Sequence, residues 1–337
     1  MSDTQPAAAG AGGAATDDKT ADVDAASAGA SADDGLASDD LASDLDPISP
    51  HAPRSTELRV RGRRVGVRRY GDADAQTAVL AAHGWGGQGS DAHGGRWAAL
   101  ANALGPRFGL IAPDLPGYGA SDPAIEDDNP VFTHDAAVLS EIIVAAKPAL
   151  HLIGAGFGAE AATRAALRHP EKTASLTLID PPAFALLEEA GDPRRLEAQD
   201  IGLAALSLTA HGGAEEAARL LTNFWRGPDA FDALSEEARA YAIACAPRAA
   251  AEWRAMSLRT PGALRFEDYQ RLQTPMLVVT GPGAPASVRA AAARIRRAAP
   301  TARAVEARSP TGATANPTAA TDEAALTFLI RQNAPPR

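Results

Sequence analysis

The 337-residue chain is 45% apolar, enough for a sizeable buried core, and its formal charge is −10 at pH 7. Cys245 is the single cysteine, which excludes an intrachain disulfide framework or a multi-cysteine metal site, and no apolar run reaches the ~18 residues needed to cross a bilayer. The N-terminus lacks the basic-then-apolar order of a secretory signal, so the expectation is a cytoplasmic protein without membrane span, metal or cofactor.

Residues 1–54 are mostly Ala, Gly, Ser and Asp, with no Phe, Tyr or Trp and no helical or strand period. All 11 acidic residues among the first fifty are Asp, opposed only by Lys19, so this stretch carries −10 and the remainder balances at 31 acidic against 31 basic. Such a composition offers too little apolar area to offset the entropy of ordering, and predicts a disordered acidic tail acting as solubiliser or tether. Its repeats from Gly35 to Asp44 leave a protein partner with a basic surface open. The balanced remainder gives no electrostatic argument for nucleic acid or anionic lipid.

From Thr56 onward the pattern changes. Thr56–Gly62 and Arg63–Tyr70 alternate in the manner of an antiparallel hairpin. Apolar β-rich runs follow at Thr77–Ala82, Phe108–Ala112, Leu150–Ile153, Ser175–Ile179, Pro275–Thr280 and Ala302–Ala307. Helical stretches intervene at Arg96–Leu104, Asp135–Ala146, Ala159–Arg168, Ser287–Ala298 and Asp322–Arg331. Alternation of this kind predicts a mostly parallel sheet covered on both faces, with chemistry sought in the loops beyond the strands' carboxyl ends. Between about 183 and 270 the alternation gives way to four helical runs, Leu196–Thr209, Glu215–Phe224, Ser235–Ala246 and Arg248–Ser257. That insertion reads as a lid, carrying Phe224, Trp225, Phe231, Tyr241 and Trp253 over the strand ends, each aromatic serving lid core before substrate contact.

Four strand-end stretches carry more specific information. They are His83-Gly84-Trp85-Gly86-Gly87, Pro113-Asp114-Leu115-Pro116-Gly117-Tyr118-Gly119-Ala120-Ser121-Asp122, Gly154-Ala155-Gly156-Phe157-Gly158-Ala159, and the helix and strand running from Ala165 to Pro181. In this order and spacing the chain resembles the α/β-hydrolase superfamily in its lidded, esterase-, lipase- and epoxide-hydrolase-like branch, closely over about 57–183 and by element order over 270–332. The resemblance implies one domain over 55–332, built on an eight-stranded, mostly parallel sheet with helices on both faces.

The resemblance also implies where a catalytic triad would stand. The nucleophile position of the Gly-x-nucleophile-x-Gly elbow falls on Gly156, which has no side-chain atom to attack with. The acid position falls on Ala284 and the base position on Thr314, or on Ala313 in a register one residue away. His211 is the last histidine, so the final segment supplies no imidazole base. Asp180 is the fallback acid, although an Asp before Pro at a strand end is commonly structural. By resemblance the Trp85 and Phe157 N–H groups form an oxyanion hole beside Gly84. His83 either touches a ligand or, more in keeping with the motif, organises the loop by hydrogen bonding.

These features lead to the expectation of a pseudoenzyme that binds a small carbonyl or acyl ligand or serves as a scaffold. An active enzyme of the same fold with a rearranged, non-covalent mechanism, its protons handled by His83, Asp114 or a lid residue, is the alternative. A further alternative reads Gly154, Gly156 and Ala159 as a dinucleotide fingerprint, with Asp180 as the ribose acid.

Overall fold

The computed structural model describes residues 54–71, 75, 77–85, 96–123, 131–146, 149–256, 260–307 and 317–333. All but the last residue of the expected acidic tail, together with Ala313 and Thr314, lie outside the described residues.

Eight strands form one sheet: β1 (Arg54–Val60), β2 (Arg63–Tyr70), β3 (Thr77–Ala82), β4 (Phe108–Pro113), β5 (Leu150–Ala155), β6 (Thr173–Ile179), β7 (Met276–Thr280) and β8 (Ala302–Glu306). Their spatial order is β1-β2-β4-β3-β5-β6-β7-β8. The β1/β2 and β2/β4 pairs are antiparallel and all others parallel. Alternation along the strands divides the core into two layers. Val79, Ala81, Ile153, Ile179 and Val279 face one side, where α1 (Arg96–Leu104) and α10 (Pro317–Gln332) bring Trp97, Leu100, Phe328 and Leu329. Leu80, Leu152, Leu176, Leu178 and Val278 face the other. There they meet α2 (Val131–Ala145), α3 (Phe157–Arg168) and α9 (Ala286–Ala298) through Leu139, Phe157, Val288 and Ile295. Full burial of each such aliphatic side chain contributes about 1.5–3 kcal/mol.

The opening hairpin turns two residues earlier than the alternation suggests. Val60 pairs with Arg63, and Arg61 and Gly62 occupy the turn with φ of 51° and 76°. Two successive left-handed residues match the right-handed twist of the flanking strands, so Gly62 belongs to the turn and not to β1.

The insertion after β6 is helical, as expected: α4 (Phe184–Glu189), α5 (Arg195–Ala210), α6 (Ala214–Arg226), α7 (Glu236–Ala255) and α8 (Phe266–Gln270). The two helices expected on either side of Pro247 are one, because α7 runs straight through it. An interior proline costs roughly 3 kcal/mol. Burial of Ala246, Ala249, Ala250 and Trp253, and a buried ionic network, offset it. Among the described residues no helix is long and apolar enough to cross a membrane.

That network fastens the insertion to the main domain. Arg248 of α7 forms a two-pronged bond to Asp135 of α2, at 2.8 and 2.9 Å, and its Nε donates to the Pro116 carbonyl at 2.8 Å. Glu252, one turn on, stands 3.4 Å from the same guanidinium and accepts from the Tyr118 hydroxyl at 2.7 Å. Burial, followed by the neighbouring Asp135 charge, pushes the Glu252 carboxyl up to about 8, against the pull of Arg248. Burial also raises Asp135 against the pull of Arg248. One cation thus serves two carboxyl groups, and burial favours the protonated form of Glu252.

Two outcomes follow from this arrangement. Arg248→Met leaves Asp135 buried without its counter-ion, and urea denaturation at pH 7 is expected to show a loss of about 3–5 kcal/mol. A folded pKa above the unfolded value means that the native state holds a proton the unfolded chain releases, so stability from Glu252 declines as pH rises from about 4.5 to about 8. Glu252→Gln removes that titration, and its melting temperature is expected to fall less than wild type between pH 5 and pH 8.

Candidate ligand site at the strand ends

The loops that follow β3, β4, β5 and β6 converge at one end of the sheet. The turn after β5 is held by backbone contact. The Gly156 N–H donates to the Ile179 carbonyl at 2.9 Å, and Gly156 adopts φ 51°, ψ −126° before α3 begins at Phe157. This is the strained strand-to-helix turn of a nucleophile elbow.

The glycines around it differ in what they do. A Cβ on Gly154 would lie 2.5 Å from the Ala159 Cα, and one on Gly84 would lie 2.6 Å from the Ala155 carbonyl oxygen. A Cβ on Gly158 would strike the carbonyl oxygens of Ala82 and His83. These three glycines are required by packing of backbone on backbone. Gly156 is not, since a Cβ there would have as its nearest described neighbours the Gly84 Cα at 3.5 Å and the Trp85 nitrogen at 4.0 Å, both ordinary contacts. Among the described residues a methyl group fits there, 4.0 Å from the Trp85 amide nitrogen.

His83 is fully engaged in shaping the loop. The Leu115 N–H donates to its Nε2 at 2.9 Å, which makes Nε2 an acceptor and puts the ring proton on Nδ1, 3.0 Å from the Gly84 carbonyl. Burial lowers its pKa and keeps it neutral, while the edge of the Tyr118 ring packs on it at 5.0 Å. Both nitrogens are used, so His83 organises the β3 and β4 loops and does not serve as a proton carrier. Asp114 is likewise built into its turn. Its Oδ2 accepts from the Ala120 N–H at 2.8 Å, and its carbonyl accepts from the Ser121 hydroxyl at 2.6 Å.

At the expected acid position, Ala284 is buried and closes a turn through its N–H to the Gly281 carbonyl at 3.1 Å. No carboxylate stands there. Asp180, at the end of β6 with φ 46°, accepts from the Gly281 N–H at 2.7 Å and ties the β6 and β7 ends together. Burial raises its pKa, opposed by that N–H and by Arg96. Arg96 pairs with Asp322 at 2.6 Å and donates to Thr321 at 2.7 Å, joining the starts of α1 and α10. The base position, Thr314, lies between β8 and α10, outside the described residues.

The insertion covers the elbow with aromatic rings. Phe157 meets Trp225 at 5.8 Å and Trp253 at 5.6 Å between centroids, and Trp253 is packed by Phe184 and Phe224. The Trp253 indole donates to the Ala198 carbonyl at 2.7 Å, whereas the buried Trp225 Nε1 has no partner among the described residues. Phe231 lies apart, in a small cluster inside the insertion. The sequence singled out Trp225 only as lid core, and no local pattern could have revealed its unspent donor.

A serine, a histidine and an asparagine do meet elsewhere: His151 Nδ1 is 2.7 Å from the Ser175 hydroxyl and Nε2 is 3.1 Å from the Asn333 amide nitrogen. Both Ser175 and His151 are buried within the sheet, where the trio fastens the end of α10. A recess of about 490 Å³ opens at the amino ends of β6 and β7, lined by Leu167, Thr173, Leu272 and Pro275, away from the elbow.

The elbow yields a comparison of two substitutions. Gly156→Ala has room for its methyl and incurs mainly the cost of an unfavourable backbone region, roughly 1–3 kcal/mol. Gly158→Ala must also push apart β3 and α3, so thermal denaturation is expected to rank it well below Gly156→Ala in stability.

Comparison with known proteins agrees with this geometry. The model of the α/β hydrolase fold family matches residues 77–283, more than half of the chain. A pimeloyl-[acyl-carrier protein] methyl ester esterase of Chromobacterium violaceum is 38% identical over 102 residues, 30% of this chain and 35% of that protein. A 2-hydroxy-6-oxo-6-phenylhexa-2,4-dienoate hydrolase of Burkholderia cepacia is 31% identical over 114 residues, 33% of this chain and 38% of that protein. The chain thus spans little more than a third of the length of these curated relatives. Among solved structures, an alpha/beta hydrolase from Sphaerobacter thermophilus superposes with TM-score 0.62 at 22% identity, over 81% of this chain and all of that one. The glycines that also fit a dinucleotide fingerprint are therefore the elbow of this fold, and the chain belongs to the α/β hydrolase fold family.

Proposed function

We propose that this protein binds an acyl or carbonyl compound at the elbow without forming an acyl-enzyme. The observation that carries this reading is Gly156: it sits at a strand-to-helix turn with φ 51° and ψ −126°, has room for a Cβ 4.0 Å from the Trp85 amide nitrogen, and carries no side chain. The N–H groups of Trp85 and Phe157 then receive the ligand's carbonyl oxygen, assisted by the positive end of the α3 dipole. The Trp225 Nε1, which has no partner among the described residues, supplies a further donor, because a buried N–H without an acceptor costs free energy that a ligand oxygen recovers. The rings of Phe157, Trp225 and Phe224 accept an apolar acyl portion.

A second reading, turnover by a non-covalent route, is favoured by the relatives, which are named for ester and dienoate hydrolysis. With both His83 nitrogens engaged, Asp180 is the group to handle protons in that reading. Burial holds its proton to higher pH than is usual for an aspartate. A scaffolding role, with the acidic tail as tether, needs neither the amide pair nor the Trp225 donor.

A graded series of p-nitrophenyl esters separates these readings. Binding to the matching carboxylates, followed through tryptophan fluorescence, is expected to saturate, while ester cleavage shows no pre-steady-state burst and at most the ~10³–10⁴-fold acceleration that an oxyanion hole and binding alone supply. A stoichiometric burst from the wild-type chain would overturn the proposal. Gly156→Cys adds a further test. A thiolate needs no base, so the variant is expected to be acylated once by the ester and to remain acylated, seen as one acyl mass at residue 156. Acylation no faster than that of an exposed cysteine would show that the amides do not act as an oxyanion cradle.

A further inference from the structure

The charge of the folded part is balanced in sum but not in space. The hairpin from Arg54 to Tyr70 holds seven arginines, Arg54, Arg59, Arg61, Arg63, Arg64, Arg68 and Arg69, against one acid, Glu57. Pairing places like charges directly opposite each other, Arg54 against Arg69 and Arg59 against Arg64. Such cross-strand pairs are destabilising in isolation. Arg59, Arg61, Arg63 and Arg64 are all exposed around the turn, and Arg61 adds its field to that of Arg168 at the end of α3. Among the described residues Glu57 lies 3.8 Å and Asp122 3.5 Å from Arg64, while Arg59 and Arg63 donate to the carbonyls of Gly62 and Pro123.

We propose that the acidic segment 1–53 of this chain lies over its own β1–β2 hairpin, with Asp39, Asp40, Asp44 and Asp46 facing the arginines of the turn. Two observations select this occupant. The segment carries −10, which is the whole formal charge of the protein, and it joins the chain at the first residue of the most basic stretch. The reach also fits. Asp46 is eight residues before Arg54, about 26–29 Å of extended chain, and the turn is roughly 20 Å along β1 from Arg54. Asp44 and Asp46 can therefore reach the turn, and Asp39 and Asp40 have slack to spare. Single exposed ion pairs are weak, but a tether of this length keeps the aspartates at millimolar effective concentration, so an array of pairs forms together and dissolves together with salt.

Arginine footprinting with phenylglyoxal, an uncharged reagent, tests this on the full chain. The modification rate at each arginine is read by peptide mass spectrometry for wild type and for a variant with all 11 aspartates of the segment changed to Asn, in 20 mM and 500 mM NaCl. At low salt Arg59, Arg61, Arg63 and Arg64 are expected to react about three- to ten-fold more slowly in wild type, with the difference gone at high salt. Arg303 on β8, at the opposite edge of the sheet, should react equally in both chains. The wild-type salt titration reads the same effect without any substitution. Equal rates at the four hairpin arginines in both chains would overturn the proposal. So would protection that disappears on dilution at constant low salt, since the segment would then be covering a second copy.

Discussion

Three backbones meet within van der Waals contact where β3 and β5 end and α3 begins, and the rest of the strand-end architecture is built around that contact. It is possible only because Gly84, Gly154 and Gly158 lack side chains; a Cβ on any of them would enter a neighbouring backbone. Glycine inside regular structure costs roughly 0.5–1 kcal/mol in chain entropy. In return the Phe157 amide, at the start of α3, and the Trp85 amide, in the loop after β3, are brought to the same end of the sheet. His83 extends the same constraint outward. By accepting from Leu115 and donating to Gly84 it couples the β3 loop to the β4 loop; burial favours the neutral ring, and the Leu115 N–H fixes the tautomer that can do both.

The helical insertion after β6 depends on this foundation in two ways. Its apolar contact runs through Phe157, whose amide belongs to the elbow and whose ring carries Trp225 and Trp253. Its polar contact runs through Arg248, which reaches Asp135 and the Pro116 carbonyl, and through Glu252, which reaches Tyr118 beside His83. Buried ion pairs add little net stability compared with apolar packing, but they tolerate far fewer geometries. The aromatic cluster packs the helical insertion onto the main domain, and the ionic network fixes where it sits.

Much of this was legible in the sequence, and the boundary of legibility is physical. The strands declared themselves through apolar alternation, and four strand-end motifs were enough to identify the fold, because each is a short stretch whose spacing is dictated by local geometry. Arg61-Gly62 was misplaced by two residues since either register keeps Val60 and Val65 buried, and only the left-handed φ pair decides between them. Pro247 suggested a helix break because a local rule cannot weigh the long-range burial of its neighbours. The Arg248 network was invisible for the same reason: its members are 113 and 134 residues apart in pairs and follow no period. The motif already pointed to His83 as a loop builder, and the hydrogen bond from Leu115 supplies the partner; the matching role of Asp114 appears only in its bond from Ala120.

Gly156 can now be set against the other elbow glycines. Its positive φ is a conformation in which any residue with a Cβ is strained, so glycine there relieves the turn while deleting the covalent route. Stability and loss of the nucleophile therefore pull in the same direction, and the substitution by itself says little about what remains. The features that carry a cost are more informative. Packing glycines that weaken regular structure, an indole donor buried without an acceptor, and an ionic network with two carboxylates on one cation are all expensive relative to simpler apolar alternatives. The glycines are required by the packing of the fold itself, whereas the indole donor is not. The Trp225 donor, without an acceptor among the described residues and packed on the Phe157 ring beside Gly156, is the feature that best supports the proposal of an oxygen-bearing ligand at the strand ends.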